Sequence, residues 1–424
     1  MNPLDRRGFL GTSFGLSAAF ATGPLAFGVE IAPKPRRFSY RPETLFLTWQ
    51  QDPTTTMTVQ WVGREGEYED TKIYYTTGFP AATAVVPTIT KPFPLADLKV
   101  FRAELTGLKP NTEYFFQIGK KSPTLKFRTM PAKLTNEINF ISGGDCGVGP
   151  HTIANNKIAA KQDPRFVVIG GDLAYDNGTA PKVTLEWLRD YSQNMIDSAG
   201  RLIPMVVTIG NHEVKGGWAK TRKDAPMFFA LFDGLFSETS YAALDFGDYL
   251  SLVLMDTGHA SKVVGMQTDW LDKTLADRVD RPHLIVVNHV PAYPSIRPAT
   301  IADTVDGKAG SGVGEDQRKN WVPLFEKYGV DVVLEHHDHT FKRTHPLKDG
   351  HVDKNGIVYL GDGSWGKLRS AAKAESRNYI SKASTSYHLT LHSLHDEVRY
   401  HMAIEETGKI VDVTHTSKKP RRRG

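Results

Sequence analysis

The sequence predicts a layered α/β (α+β) chain in two parts. An antiparallel β-sandwich comes first, followed by a domain of packed β-sheets flanked by helices. Three observations predict this. Between residues 36 and 131 short runs alternate apolar with polar and show no helical period. After Pro131, β-branched apolar runs alternate with helix-like stretches. Five of those later runs finish on Asp, Asn or His, at the end of the strand where layered α/β folds bind ligands. The expected division is an N-terminal signal at 1–28, the sandwich at 36–131, the layered domain at 134–415 and a basic tail at 416–424.

The 424 residues, 40% hydrophobic and 23% charged, leave room for two domains of ordinary globular composition. The net charge of +5 is modest and sits partly in Lys418-Lys-Pro-Arg-Arg-Arg423. This is not the basic face with interleaved aromatics of a nucleic-acid protein; it suits a small anionic substrate. A single cysteine, Cys146, excludes an internal disulfide framework.

At the N-terminus, Asp5-Arg-Arg-Gly-Phe-Leu10 precedes an uncharged segment that runs to Val29 and is rich in Gly, Ala, Ser and Thr. The pattern is similar to a twin-arginine export signal, with a small-x-small cleavage site at Ala19-Phe-Ala21. The segment is long enough to span a bilayer, but its glycines and hydroxyl residues make a poor lipid helix. The expectation is export to the periplasm or medium in folded form, with no stable membrane insertion once the signal is removed.

The sandwich strands are expected at 45–49, 57–61, 72–75, 101–105, 114–118 and 124–128, with Pro, Gly and Asn turns between them. Leu105-Thr-Gly-Leu-Lys-Pro-Asn-Thr-Glu-Tyr114 resembles the corner before a late strand of fibronectin type III modules. This part carries no His, Asp or Glu cluster, so it is assigned no chemistry.

In the second part, Ile138–Ser142 leads to Asp145, Phe166–Ile169 to Asp172, and Pro204–Ile209 to Asn211. His283–Val287 leads to His289, and Val330–Leu334 leads to His337 and His339. Further strands are expected at 249–254 and 356–360, and helices at 185–195, 267–275 and 316–328. One such strand end reads equally well as a helix cap. Five that can meet at one edge do not, because buried carboxylates must be neutralised. Mixed oxygen and imidazole donors without thiolate suit iron, zinc or manganese. Six such side chains together with Tyr175 exceed the needs of one ion, and two ions can clamp both oxygens of a phosphoryl transfer.

Taken in order, Gly144-Asp-Cys-Gly147, Gly171-Asp-Leu-Ala-Tyr175, Gly210-Asn-His-Glu213, Asn288-His-Val-Pro-Ala-Tyr293 and His337-Asp-His339 resemble the five motifs of purple acid phosphatases. These belong to the calcineurin-like metallophosphoesterases. Gly361-Asp-Gly-Ser-Trp-Gly366 matches the family's last segment in character. The resemblance implies that Asp145, Tyr175 and His339 hold a ferric ion. Asn211, His289 and His337 would hold a second, divalent ion (iron, zinc or manganese), with Asp172 bridging the two. It implies an acid phosphatase in which a metal-bound hydroxide attacks small phosphate monoesters. His212 would contact the phosphate and protonate the leaving group, with Glu213 orienting it.

Three departures stand out. His336 occupies a position that is usually glycine, where it either crowds the cluster or adds a donor to it. Arg297 lies where plant-type members carry extra histidines; it either clamps phosphate or lies on the surface. Cys146 beside Asp145 reads as a small buried thiol rather than a third kind of ligand. The glycine-rich stretch Gly307–Gly314 lacks a closing Gly-Lys-Ser/Thr and reads as a loop. His388, His392, His395 and His401 read as strand-face histidines. The alternatives are an exported phosphodiesterase of the alkaline phosphatase D type, marked by calcium and a cysteine ligand, and a non-catalytic phosphate binder. The complete donor set argues against the second.

Overall fold

The computed structural model describes residues 41–78, 83–299 and 312–421. The expected export signal and most of the glycine-rich stretch lie outside them.

The first part is a sandwich of two four-stranded antiparallel sheets. One sheet runs in the order Phe46–Thr48, Met57–Gly63, Leu98–Leu105, Ile89–Phe93. The other runs Ala84–Val86, Ile73–Thr76, Glu113–Ile118, Leu125–Arg128. Alternate residues face inward, where Trp61 stacks on Phe101 at 5.1 Å and Tyr114 on Phe127 at 5.4 Å. The Tyr114 hydroxyl accepts the Lys109 N–H at 2.8 Å, which pins the corner before its strand. The two outer strands, at 84–86 and 89–93, were not expected. They are short and largely exposed, and one carries Pro92, so neither shows a buried period.

The sandwich packs directly on the second part. Trp49 meets Phe166 and Phe246 edge-on at 6.0 and 5.7 Å. Gln60 and Arg102 both donate to the Leu231 carbonyl. This gives the sandwich a supporting role beneath the sheet that carries Asp172.

The second part holds two mixed sheets. A six-stranded sheet runs Met205–Val207, Val167–Ile169, Ile138–Gly143, His388–His395, Val398–Glu405, Ile410–Ser417, with its first three strands parallel. The last strand passes the boundary at 415, and the tail beyond it is anchored: Arg421 pairs with buried Asp331 and donates to the Gly329 carbonyl. A seven-stranded sheet runs Ala242–Phe246, Leu250–Leu254, His283–Val287, Val332–Glu335, Val358–Asp362, Phe341–Thr344, Ile380–Ser384. Its second to fifth strands are parallel.

Strand His283–Val287 shows why these runs lack alternation. Ile285 and Val287 join the core shared with the other sheet, whereas Leu284 and Val286 pack with Leu271, Leu275 and Phe325 of the covering helices. The helix expected at 316–328 is two, Glu315–Asn320 and Val322–Tyr328, because Pro323 has no N–H to continue the first. Helix Pro150–Lys161 was not expected, since its buried positions are Thr, Asn and Ala and give no apolar period.

The C-terminal histidines are strand-face residues. Ser142, His392, His401 and Thr416 form a buried hydrogen-bonded chain with links of 2.7, 2.7 and 2.9 Å, His388 bonds Ser364, and His395 pairs with Glu137 at the surface.

Candidate metal centre

The parallel strands of both sheets deliver their C-terminal loops to one place. Beyond the strand ends the backbone ladder continues: Asp145, Cys146 and Gly147 donate to the carbonyls of Gly171, Asp172 and Leu173. The loops bearing the first two carboxylates are therefore locked in register.

One feature of these loops is not visible in residue type. Asp145, Asp172, Tyr175, His337 and His339 all adopt left-handed backbone, with φ of 56°, 53°, 66°, 71° and 58°. They are five of twelve such non-glycine residues among those described. Each conformation costs about 1–3 kcal/mol and persists only where the surroundings impose it. This turns the side chains toward one another.

The donors fall into two adjoining groups. In the first, the Tyr175 hydroxyl lies 3.2 Å from Asp145 Oδ1 and 3.0 Å from His339 Nε2, and His339 Nε2 lies 2.9 Å from Asp145 Oδ1. In the second, His289 Nε2 lies 3.2 Å from Asn211 Oδ1, 3.2 Å from His337 Nδ1 and 3.4 Å from Asp172 Oδ1. Donor atoms of Asp145, Asp172, His289 and His337 all lie within 4.8 Å of one another, so Asp172 adjoins both groups. Gly210 is required here, because a Cβ would come within 2.3 Å of Asp172 Oδ1.

These donors fit a cation. His289 Nδ1 faces the Gly170 carbonyl at 2.8 Å, which can only accept, so that nitrogen carries the proton. Nε2 then faces the oxygens of Asp172 and Asn211, a place that only positive charge satisfies, a proton on the imidazole when the site is empty or a cation in its stead. Asp172 Oδ2 is fully buried with no hydrogen-bond partner among the described residues. The electrostatics agree. Burial opposes ionisation of Asp172, yet the His289 and His212 imidazoles hold it well below the usual carboxylate range. Burial likewise depresses His289, but Asp172 and Asp145 raise it to about 9. Burial and the Asp145 and Asp172 carboxylates push the Tyr175 phenol far up, so a phenolate there requires a strong Lewis acid.

His212 sits at the mouth, its side chain 35% exposed. Its N–H donates to Asp172 Oδ1 at 2.7 Å, and its Nε2 lies 4.0 Å from Asp172 Oδ2. The expectation that Glu213 orients it is corrected. Glu213 is buried and accepts the N–H groups of Asp172, Leu173 and Gly210 at 2.8, 2.7 and 2.8 Å, tying two ligand loops together. His212 Nδ1 instead donates to Asn177 Oδ1 at 2.5 Å, and the ring stacks on Tyr175 at 4.1 Å. Asn177 was missed, although it lies two residues beyond Tyr175 and shares its left-handed backbone.

The three departures are placed as follows. His336 neither crowds the cluster nor joins it. Its Nδ1–H donates to the Asn288 carbonyl at 2.7 Å, and its ring fills space that a Cβ on Gly144 or Gly170 would occupy. Arg297 is held against the site: Nη2 donates to the His337 carbonyl at 3.1 Å and Nε pairs with Asp338 Oδ1 at 3.3 Å. Asp338 also accepts the N–H groups of Ser295 and Ile296, fastening this segment to the His337 loop. Cys146 is a buried free thiol with Trp187 as a hydrogen-bond partner, outside the donor cluster. Its thiol is pushed up by burial and by Asp145.

The comparisons with known proteins extend the same pattern. The family described as "Purple acid Phosphatase, N-terminal domain" matches residues 42–129, and "Calcineurin-like phosphoesterase" matches residues 144–341. The chain joins the N-terminal domain of the purple acid phosphatase family to a calcineurin-like phosphoesterase domain. Among the family's curated members it is similar to Purple acid phosphatase 21 of Arabidopsis thaliana, 27% identical over 288 residues. That match takes in 65% of this chain and 60% of the plant protein, so the chain spans about 60% of the length of such relatives. The purple acid phosphatase fold is also shared with PPD1 from seeds of yellow lupin (Lupinus luteus), at a TM-score of 0.69 and 17% identity over 89% of this chain and 74% of that one. The structure of PhoD matches at a TM-score of 0.61 and 14% identity, over 91% of this chain and 94% of PhoD.

Proposed function

We propose that this chain is a binuclear-metal acid phosphatase that hydrolyses small phosphate monoesters. The observation that carries the reading is the convergence of seven donor side chains, five on left-handed backbone, around a fully buried carboxylate oxygen with no partner among the described residues. Asp145, Tyr175 and His339 would hold one ion and Asn211, His289 and His337 the other, with Asp172 between them. When bound, a ferric ion and a divalent iron, zinc or manganese would supply Lewis-acid stabilisation of the phosphoryl oxygens and lower the pKa of water.

The protein's own groups do the rest. Asn177 fixes the His212 ring with Nδ1–H engaged, which leaves Nε2 to face the substrate from the mouth. In its imidazolium form His212 donates from Nε2 to a phosphoryl oxygen or to the departing alkoxide. Arg297, anchored by Asp338, contributes fixed positive charge beside the cluster. His212→Ala is expected to lower kcat by about 10²–10⁴-fold with both metals retained. The loss should be larger for alkyl phosphates, whose leaving groups need a proton, than for nitrophenyl phosphate, whose leaving group does not. Equal losses on both would make His212 a binding group only. No hydrolysis of any monoester by metal-loaded wild type would remove the reading itself.

The second reading is an exported phosphodiesterase of the alkaline phosphatase D type with a cysteine ligand, whose fold the likeness to PhoD would accommodate. Cys146, set among Trp187 and its neighbours outside the cluster, speaks against it, and hydrolysis of bis-nitrophenyl phosphate in preference to the monoester would favour it.

Export through the twin-arginine route belongs to the same proposal. Replacing Arg6 and Arg7 by Lys is expected to hold the precursor in the cytoplasm of a host with that pathway, as read by fractionation. Unchanged export of the double variant would refute it. Among the described residues no helix is long and apolar enough to cross a membrane.

A further inference from the structure

We infer that the surface beginning at Trp218 is a leaving-group subsite, selective for esters of a flat aromatic alcohol that carries a second anionic group. The inference rests on the phosphatase reading and adds a substrate class to it.

Trp218 meets a ring of the cluster, and the next residue, Ala219, lines a groove. Its indole packs on His259 at 4.5 Å and meets the His337 ring edge-on at 5.6 Å, yet the residue is 44% exposed. Two loops zipped together hold it there. Ala219 and Lys220 donate to the carbonyls of Gly258 and His259, and His259 Nδ1 lies 3.0 Å from the Gly217 carbonyl. The buried Asp256 accepts the N–H groups of Gly258, His259, Ala260 and Ser261, so the second loop is fixed from below. Ala219 has left-handed backbone, φ 51°, a strained conformation that the zipped loops maintain.

A groove of about 420 Å³ begins at the residue after Trp218, lined by Ala219, Lys220, Tyr241, Lys262, Val264 and Met266. This size suits a small organic group. Val264 and Met266 are 54% and 84% exposed, an apolar surface that nothing among the described residues covers. Neither Lys220 nor Lys262 forms an ion pair among the described residues, so two ammonium groups flank that apolar floor. The Tyr241 ring, Val264 and Met266 favour a flat ring. The lysines favour an anion on its far side, beyond the phosphate that the cluster would take.

Binding can be read without turnover. Of seven tryptophans, Trp49, Trp61, Trp187, Trp321 and Trp365 are fully buried, so quenching by an added ligand reports on Trp218 and on half-buried Trp270, which packs on Tyr241 of the groove at 4.8 Å, and Trp218→Leu separates the two. Titration with 6-hydroxy-2-naphthoate, the alcohol of such an ester, is expected to quench fluorescence saturably. Uncharged 2-naphthol should bind about tenfold more weakly, and the double variant Lys220→Gln, Lys262→Gln should erase that difference. In kinetics, Trp218→Leu should raise KM for the carboxynaphthyl phosphate about tenfold relative to KM for a simple alkyl phosphate. Absence of saturable quenching in wild type, or equal binding of the two naphthols, overturns the subsite. So does a Trp218→Leu change in sedimentation without a change in naphthoate binding, which would assign the patch to a protein contact. If wild type hydrolyses no ester yet quenches as expected, the phosphatase reading fails while the ligand site stands.

Discussion

Replacing Asp172 by Asn is expected to abolish tight binding of both metal ions and to lower kcat by at least about 10²–10³-fold. The carboxylate is fully buried at the end of strand Val167–Ile169 on left-handed backbone. One oxygen accepts the His212 N–H at 2.7 Å and lies 3.4 Å from His289, and the other has no partner among the described residues. An amide keeps an acceptor for His212 but replaces the second oxygen with a donor, and the site loses its shared negative charge. Elemental analysis and turnover of the purified variant check this. An Asp172→Asn protein that retains both metals and near wild-type activity would mean that Asp172 does not join the two groups.

The second large effect belongs to a residue that binds no metal. Glu213 Oε2 accepts the N–H groups of Asp172 and Gly210, and Oε1 accepts that of Leu173. Gln offers only one oxygen, so at least one of these buried N–H groups would face an NH₂. The cost is about 1–3 kcal/mol of stability, and the loss of loop registration should weaken metal binding about 10–100-fold. Glu213→Ala, which leaves all three donors unsatisfied, should cost more. Denaturant unfolding of the metal-free protein separates the two effects. A Glu213→Gln variant with unchanged stability and unchanged metal affinity would reduce the three hydrogen bonds to incidental contacts.

Much of this was legible in the sequence because the strands of the second domain are buried on both faces. Such strands read as unbroken apolar runs, and the residue just past each run must be polar for a reason. The runs are longer than the strands: Phe166–Ile169 yields Val167–Ile169, and Pro204–Ile209 yields Met205–Val207. The remaining residues are buried, and Phe166, Pro204 and Thr208 share only single backbone hydrogen bonds with the neighbouring strands, too few to extend the sheet register. The same grammar would also have named Asp256, at the end of strand Leu250–Leu254, as a ligand. There the carboxylate caps its own loop through four backbone N–H groups, which residue type alone cannot distinguish.

Glu213 was misread for a related reason. Its place beside His212 suggested a partner, but in the one-turn helix Asn211–Glu213 successive side chains diverge, and it turns back toward Asp172. Asn177 was overlooked because only the fold brings its loop against that turn. His336 shows the limit in the other direction. Its effect depends on whether Gly144 and Gly170 leave room for an imidazole, a fact of packing between loops distant in sequence.

The central claim is that these loops hold two ions, one of them ferric iron bound by Tyr175. It is tested most directly by metal content per chain in freshly purified, active protein. The expected result is two ions per chain, at least one of them iron, together with a broad visible absorption band that Tyr175→Phe removes. One ion or none in fully folded, active protein would contradict the account, and so would an iron-loaded wild type without colour.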